Sequence, residues 1–290
     1  MADGSRGASS PKIPRLALDL VIKTRFRDIV TYQELQKDIL KHCRLKGQVH
    51  VIVPQTQIRY FRKVVAKSFV LVSSEEILEA SGFRTDLPDT WTTQQILKLL
   101  AFSIVKNEAF LILDSNTLLG FDFNENFFRK HGQYVYGIGD FSDIAWELQS
   151  RNLLRVAASS TLSGFRSVNQ IFLKANIRAL FDHLEHLYGD DAVSTLLRYS
   201  DHRKSASWTE YTLYGVFCQR ILPAATQHFQ ARRDLFSFSF RIPFQEFLVE
   251  VEKHAPLMIK FYKRRPAYLV PDRAYRRYVA QIKRIYADAD

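Results

Sequence analysis

Two residues whose side-chain oxygens can bind a metal ion, Asp114 and Asn116, lie just after a strongly apolar segment of the sequence. Residues 109–113 are all apolar, and Asp114, Ser115 and Asn116 come next. A carboxylate at the end of a buried strand is costly unless it is paired, hydrogen-bonded or bound to a metal ion. Asp114 and Asn116 are two residues apart, so both can reach one Mg²⁺ or Mn²⁺ ion, whose shell a substrate diphosphate would complete. The spacing is equally compatible with an aspartate that caps the following turn.

The segments before this motif alternate between strand-like and helix-like patterns. Apolar runs predict strands over residues 15–24, 48–54, 68–73 and 109–114. Helical patterns lie between them, over residues 32–45, 57–67, 75–80 and about 91–105. This alternation predicts an α/β fold with a Rossmann-type, mostly parallel central sheet and helices on both faces. Ligands of such sheets bind beyond the carboxyl ends of the strands, where Lys23, Thr24 and Asp114 are expected to lie.

After residue 120 the pattern becomes mainly helical. Helices are predicted over residues 143–154, 168–187, 191–199, 208–222, 243–254 and 271–286, and strands over 133–137, 237–241 and 257–262. No linker rich in Gly, Ser or Pro divides the chain. We therefore expect the two parts to form two halves of one domain.

Several segments together resemble a known family. The segment Phe110–Leu119, followed by Phe121–Phe123, resembles the Asp-x-Asp region of GT-A glycosyltransferases. It resembles most closely a largely uncharacterised bacterial family of such enzymes that is associated with surface polysaccharide. Residues 18–24, 91–98 and 207–215 match further blocks of that family in the same order. Asn116 departs from the motif, which has a second acid there; its amide oxygen can bind a cation but brings no negative charge.

The resemblance implies a role for each candidate residue. A nucleotide sugar would be the donor, and Mn²⁺ or Mg²⁺ on Asp114 and Asn116 would neutralise the leaving diphosphate. Glu210 would be the catalytic base that takes the proton of the acceptor hydroxyl, provided that the reaction inverts the sugar carbon. The alternative for Glu210 is a first-turn acid that favours the helix dipole. The remaining donor-binding candidates are Lys23, Thr24, Gln94, Gln95, Lys98 and Ser115.

Some of these residues, and others near them, have both a binding role and a structural role open to them. Lys98 would reach a phosphate or the donor sugar, or it would be a solvated lysine on an amphipathic helix. Trp91 at a helix start fits packing better than sugar stacking. Residues 167–170 match a short segment on the acceptor side of the family. A sugar-binding cleft around Glu210 would be lined by the neighbouring aromatic residues Trp208, Tyr211 and Tyr214.

The implied organisation has four parts. These are a disordered leader over 1–14, a nucleotide-sugar-binding half over 15–125, an acceptor-binding half over 126–270 and a basic helix over 271–290. The acceptor would be an oligosaccharide or a lipid-linked glycan in the synthesis of bacterial surface polysaccharide, such as capsule. No signal peptide and no membrane-spanning apolar segment is visible, so we expect a cytoplasmic protein. Residues 271–286 are basic and aromatic, and they would contact the inner face of the plasma membrane or form a surface helix.

The amino-acid composition narrows the possible classes of protein and of partner further. The chain has 41 Lys and Arg against 30 Asp and Glu, a net charge of +11, which favours anionic partners without choosing among them. Aromatic residues make up 13% of the chain, which argues against disorder. Two cysteines, Cys43 and Cys218, cannot form a disulfide framework. They could form a single bridge, but two free buried thiols fit a reducing cytoplasm better.

Two other functions fit parts of the sequence. Residues 114–118 also resemble the Asp-x-Asp-x-Thr motif of haloacid-dehalogenase-like phosphatases and phosphotransferases, but Asn116 cannot act as the general acid of that motif. A nucleic-acid-binding protein would explain the positive charge. The basic residues are dispersed, however, and the sequence has no RRM, KH or zinc-finger signature. We therefore predict a metal-dependent nucleotide-sugar glycosyltransferase that does not bind nucleic acid.

Overall fold

The structure is a computed structural model of the 290-residue chain. It describes residues 17–83, 87, 90–130, 133–137, 144–157, 169–200 and 208–222, together with 228–231, 238–239, 258–260 and 280. The leader predicted over 1–14 and the helix predicted over 243–254 lie outside the described residues. The same is true of the basic tail over 271–290, apart from Ala280.

A five-stranded, mostly parallel sheet forms the centre of the fold. Its strands are β1 (Leu18–Lys23), β2 (Val49–Val53), β3 (Val70–Ser73), β4 (Ala109–Asp114) and β8 (Ile171–Leu173). They lie in the order β3-β2-β1-β4-β8. β1 pairs parallel with β2 and with β4, β2 pairs parallel with β3, and β8 pairs antiparallel with β4. The structure thus confirms the α/β fold with a Rossmann-like, mostly parallel sheet.

Helices connect and cover these strands. In the described part of the chain they are α1 (Ile29–His42), α2 (Ile58–Phe61), α3 (Ser74–Ser81), α4 (Trp91–Leu100), α5 (Ile144–Leu153), α6 (Lys174–Tyr188), α7 (Ala192–Arg198) and α8 (Glu210–Arg220). None of the helices in these residues is both long enough and apolar enough to cross a membrane.

Short strands form two smaller sheets. They are β5 (Thr117–Leu119), β6 (Arg129–Lys130), β7 (Gln133–Gly137), β9 (His228–Ala231), β10 (Phe238–Ser239) and β11 (Met258–Lys260). One sheet has the order β10-β11-β5 and the other β6-β7-β9. Because β5 follows β4 after a two-residue turn, the first of these sheets begins directly beside Asp114.

The central sheet is buried on both faces, and its alternation decides where the site lies. In β4, Phe110 and Ile112 join one apolar cluster, together with α4, α6, α7 and α8. Leu111 and Leu113 join the other cluster, together with α1. Successive side chains of a strand point to opposite faces, so Asp114 belongs to the face of Phe110 and Ile112. Asp114 therefore meets residues from α4 and α8.

The helix predicted over 168–187 is wrong at its start. Residues 171–173 form β8, which pairs Phe172 with Phe110, and α6 begins only at Lys174. Ile171 and Leu173 enter one apolar cluster while Phe172 enters the other. Three consecutive apolar residues suit an edge strand with both faces covered as well as they suit a helix turn. Pairing with β4 decides in favour of the strand.

Candidate functional site

The candidate site lies where the strand order of the central sheet reverses. β1 has β2 and β3 on one side and β4 on the other, so the carboxyl ends of β1 and β4 border the switch point. Lys23 at the end of β1 is the register partner of Asp114 at the end of β4. A crevice opens at such a point because the connections leave in opposite directions, and open α/β sheets bind their ligands there.

Lys98 supplies the central cation of the site. It lies on α4, which begins after the N-cap Thr90, whose hydroxyl accepts a hydrogen bond from the backbone N–H of Thr93 at 3.2 Å. The Lys98 ammonium donates to Asp114 Oδ1 at 2.5 Å and to Glu210 Oε1 at 2.7 Å. The two that lie farthest apart in the sequence, Lys98 and Glu210, are separated by 112 positions. The fold thus gathers three of the predicted site residues into one bonded group, named here the Lys98 triad (Lys98, Asp114 and Glu210).

The triad runs from the partly open edge of the sheet into the interior. The side chain of Asp114 is 13% exposed, that of Lys98 is 7% exposed and that of Glu210 is fully buried. Buried charges are stable only when they are paired. The interpretation of Lys98 as a solvated lysine is therefore wrong, because two carboxylates enclose its ammonium.

Tyr211 contacts two members of the triad, Lys98 and Asp114. Its hydroxyl lies 3.4 Å from both the Lys98 ammonium and Asp114 Oδ1, and the ammonium lies 4.9 Å from the centre of its ring. The aromatic face attracts the cation. Burial, and next the negative charge of Asp114, raises the pKa of Tyr211 well above its usual value, so its hydroxyl stays protonated. Tyr136 donates a hydrogen bond to the carbonyl of Tyr211 and ties α8 to β7.

The charges of the triad do not balance. Two carboxylates face one ammonium, which leaves one excess negative charge among these three side chains when all are ionised. Burial raises the pKa of Glu210, and Lys98 opposes that rise. Burial alone would lower the pKa of Lys98, but the charges of Asp114 and Glu210 raise it well above its usual value. Lys98 therefore stays charged. Glu210 binds a proton more readily than an ordinary glutamate does.

Asn169 holds the backbone at Asp114, the first of the two predicted metal ligands. Its side-chain oxygen accepts hydrogen bonds from the Asp114 N–H at 2.9 Å and from the Thr117 hydroxyl at 3.2 Å. Asn169 is buried and has φ 63°, a left-handed conformation that asparagine tolerates better than most residues. Its amide nitrogen has no hydrogen-bond partner among the described residues. The resemblance places residues 167–170 on the acceptor side, and no spacing pattern indicates their contact with Asp114.

The other predicted donor-binding residues at the ends of β1 and β4 differ in their burial and hydrogen bonding. Lys23 is buried and its ammonium donates to the Thr24 carbonyl at 3.0 Å. Thr24 is also buried, and its hydroxyl has no hydrogen-bond partner among the described residues. Ser115 is buried and Asn116 half-buried, next to Asp114.

The two glutamines of α4 differ from each other. Gln95 is buried and donates to the carbonyl of Trp91 at 3.1 Å, so it stabilises its own helix. Gln94 is half-buried, and its amide nitrogen is shielded from solvent without a hydrogen-bond partner among the described residues. Of the two, Gln94 is the one whose buried amide nitrogen has no hydrogen bond among the described residues.

The aromatic residues around Glu210 do not line an open cleft. Trp208, Tyr211 and Tyr214 are 1%, 4% and 0% exposed and belong to the apolar core. The predicted sugar-binding cleft lined by these rings is therefore wrong. Trp208 lies just before α8, and Tyr211 and Tyr214 lie on α8, a helix that is buried on nearly every face. Burial in the core satisfies these large side chains better than solvent does. Glu210, the first residue of α8, is also the first-turn acid of the alternative interpretation.

Possible metal ligands are few in the described part of the chain. No group of three or more His, Cys, Asp and Glu side chains with metal-binding geometry occurs among these residues. His183 and His186 on α6 form no such group; His183 faces the ring of Phe217, and His186 is exposed. The predicted ligands Asp114 and Asn116 thus offer one carboxylate and one amide.

The sequence matches the model of DUF6492, a family of unknown function, over residues 16–234. The chain belongs to this family. The DUF6492 region contains the whole central sheet and all three residues of the Lys98 triad. No curated protein matches the sequence.

Proposed function

We propose that this chain is a metal-dependent glycosyltransferase with a GT-A-like fold that moves a sugar from a nucleotide-sugar donor to a glycan or lipid-linked glycan. The observation that carries the proposal is the position of Asp114. Its carboxylate lies partly exposed at the switch point of a Rossmann-like sheet, against the buried ammonium of Lys98. The proposed setting is the cytoplasmic side of bacterial surface polysaccharide synthesis.

The donor diphosphate would lie at the carboxyl ends of β1 and β4. Lys23 ends β1 and Thr24 follows it, and both would contact the nucleoside. Lys98 brings a fixed positive charge to the end of β4. Preorganised charges of this kind stabilise a leaving diphosphate because they need no rearrangement during the reaction. The Thr24 hydroxyl and the Gln94 amide, which lack partners among the described residues, are further donors for the nucleotide sugar.

Asp114 and Asn116 are the residues that would hold Mn²⁺ or Mg²⁺. One carboxylate and one amide oxygen fit an ion that takes its remaining ligands from phosphate and water. When bound, the ion neutralises charge on the leaving diphosphate.

Glu210 would act on the acceptor proton as the general base. Its raised pKa brings it closer to the range in which a carboxylate is an effective base. Its second oxygen, Oε2, is buried and has no hydrogen-bond partner among the described residues. In addition, Glu210 positions Lys98, so two roles have to be separated by experiment.

Binding and turnover with a panel of nucleotide sugars test the proposal. We expect one nucleotide sugar to raise the melting temperature of the full chain, more in the presence of Mn²⁺, and to be turned over with a glycan acceptor. Asp114→Asn should abolish turnover and the effect of Mn²⁺. Asp122→Asn, at an exposed aspartate paired with His42 and Arg44 on the surface, is the matched control and should leave both unchanged.

Full turnover by Asp114→Asn would refute the role of Asp114. Hydrolysis of phosphate esters, with Asp114 labelled by a fluorophosphate analogue and no binding of nucleotide sugars, would instead identify the haloacid-dehalogenase-like alternative.

A further inference from the structure

We infer that Trp91 and Trp146 form a stacking platform for a pyranose ring of the acceptor glycan. Trp91 is the first residue of α4, and Trp146 lies on α5. The centres of the two rings are 6.2 Å apart and their planes differ by 26°, an offset stack. The assignment rests on the proposed function, since it names where the acceptor of that reaction binds.

Trp91 presents an unusually large apolar surface to solvent. It is 45% exposed, whereas Trp208 is 1% exposed and its indole nitrogen donates to the carbonyl of Leu196 at 3.1 Å. Trp91 packs against Trp146, but it also leaves much of its ring open to solvent. Trp146 stacks against one side of Trp91, and a ring orientation that is favoured before binding lowers the cost of ordering it for a ligand.

The platform lies on the same side of α4 as the Lys98 triad. Residues 91 and 98 are seven positions apart, about two helix turns and roughly 10 Å along the axis. Helical side chains lean toward the N-terminus, so Lys98 reaches from its own turn toward the end that carries Trp91. A saccharide on Trp91 would thus place its reacting end within one or two sugar units of Asp114.

Gln94 provides the polar contact that a sugar needs beside an aromatic ring. It follows Trp91 by three residues and therefore shares its helix face. Its amide nitrogen is shielded from solvent and has no hydrogen-bond partner among the described residues. A shielded donor without a partner is unfavourable, and a hydroxyl oxygen of a bound sugar would satisfy it.

The chemistry of the platform fits a pyranose better than a nucleotide base. One face of a pyranose is made of C–H groups, which are attracted by the negative face of an indole ring, while its hydroxyls remain at the rim. A base would be expected near Lys23 and Thr24 at the end of β1. Trp146 comes instead from α5, in the half of the chain that the resemblance assigns to the acceptor.

Tryptophan fluorescence tests the platform directly, because the third tryptophan of the chain is buried. The full chain is titrated with chitotriose, maltotriose and mannotriose, and separately with UDP and GDP. We expect at least one trisaccharide to shift the emission of the wild type. Trp91→Ala should weaken that binding roughly tenfold, the loss expected for one stacking ring. Leu148→Ala, at a residue of α5 that is also 45% exposed, is the matched control and should bind normally.

Thermal melting verifies that each variant is folded, and Trp91→Phe, which keeps an aromatic face, should bind with intermediate affinity. The inference is overturned if no trisaccharide binds the wild type, if Trp91→Ala binds saccharides normally, or if the variant loses UDP or GDP instead. Saccharide binding that depends on Trp91 without any sugar transfer would support the platform and refute the proposed function. Sugar transfer with an unchanged acceptor KM in Trp91→Ala would support the proposed function and refute the platform.

Discussion

Lys98 determines the electrostatics of the site because a single ammonium serves two carboxylates. Its side chain is 7% exposed, and its hydrogen bonds to Asp114 and Glu210 are 2.5 and 2.7 Å long. Removing one partner from a buried ion pair costs about 3–5 kcal/mol, since the other charge stays buried without compensation. Lys98 therefore links the stability of the protein to the charge state of its candidate catalytic carboxylates.

Lys98→Met should lower the free energy of unfolding by about 3 kcal/mol at pH 8 and by less at pH 5. Burial already raises the pKa of Glu210, and removal of Lys98 removes the charge that lowers it. A carboxyl group with a raised folded pKa favours the folded state at low pH, and this contribution is lost as pH rises through the folded pKa. Urea unfolding of the variant between pH 5 and pH 8 measures the effect.

The wild type provides the comparison for Lys98→Met. The Lys98 pKa lies well above its usual value of 10.5, so the stability that its charge contributes is fully present below that pH. The double variant Lys98→Met/Glu210→Gln should regain most of the loss at pH 8. An equal loss at pH 5 and pH 8 in the single variant would show that Glu210 does not titrate as inferred.

Glu210→Gln separates the two roles of Glu210. The amide oxygen of Gln still accepts the hydrogen bond from Lys98, but an amide cannot take a proton. If Glu210 is the base, the rate of transfer should fall about 100-fold or more while donor affinity stays the same. Steady-state kinetics and thermal-shift titration with the donor give the two quantities. Nearly normal turnover would leave Glu210 with its positioning role alone.

At the scale of elements, two capped helices bring the triad together. Thr90 caps α4 before Lys98, and Thr209 caps α8 immediately before Glu210. The Thr209 hydroxyl accepts a hydrogen bond from the backbone N–H of Thr212 at 3.1 Å. A capping side chain fixes the position at which a helix starts. In α8 the first residue is Glu210 itself, so the cap fixes the position of its carboxylate.

Thr209→Ala should cost about 1 kcal/mol in stability and should also reduce turnover, because the first turn of α8 holds Glu210. Asp191→Ala is the matched control, since Asp191 caps α7 through the N–H of Ser194 at 2.9 Å and α7 contains no residue of the triad. It should cost a similar stability with unchanged turnover. Equal kinetics for the two variants would mean that the start of α8 is fixed by tertiary packing rather than by its cap.

The elements also indicate what a sequence can reveal about this fold. The prediction of β4 over 109–114 is confirmed residue for residue, because a five-residue apolar run bounded by polar residues leaves little choice. β8 was missed because its three residues gain their strand geometry only from pairing with β4. Asp114, Lys98 and Glu210 were each predicted as candidates, but nothing in their spacing indicates that one lysine lies between the two carboxylates. That arrangement depends on how α4 and α8 pack.

At the scale of the whole molecule, Asn169 connects the two halves of the chain. Its side-chain oxygen holds the backbone of Asp114, which lies 55 residues earlier in the sequence. Asn169→Gly preserves the left-handed backbone but leaves the Asp114 N–H and the Thr117 hydroxyl without that acceptor. We expect a loss of about 1–3 kcal/mol in the free energy of unfolding, together with weaker Mn²⁺ binding.

Asn169→Ala adds backbone strain to the same loss, because alanine tolerates a positive φ less well than glycine does. It should therefore be less stable than Asn169→Gly. Urea unfolding and a Mn²⁺ titration monitored by thermal shift provide the measurements. Wild-type stability in Asn169→Gly would show that water replaces the amide oxygen at no cost.

The antiparallel strand β8 has a consequence for synthesis on the ribosome. β1 to β4 are translated first, yet the outer edge of β4 obtains its partner only after residue 173, and Glu210 follows still later. During that interval the nascent chain exposes an unpaired apolar strand edge, the kind of edge that recruits other chains. Lys98 and Asp114 are then already made, but without their third member. Pauses in translation before residue 173 should therefore favour aggregation, while pauses after residue 220 should not.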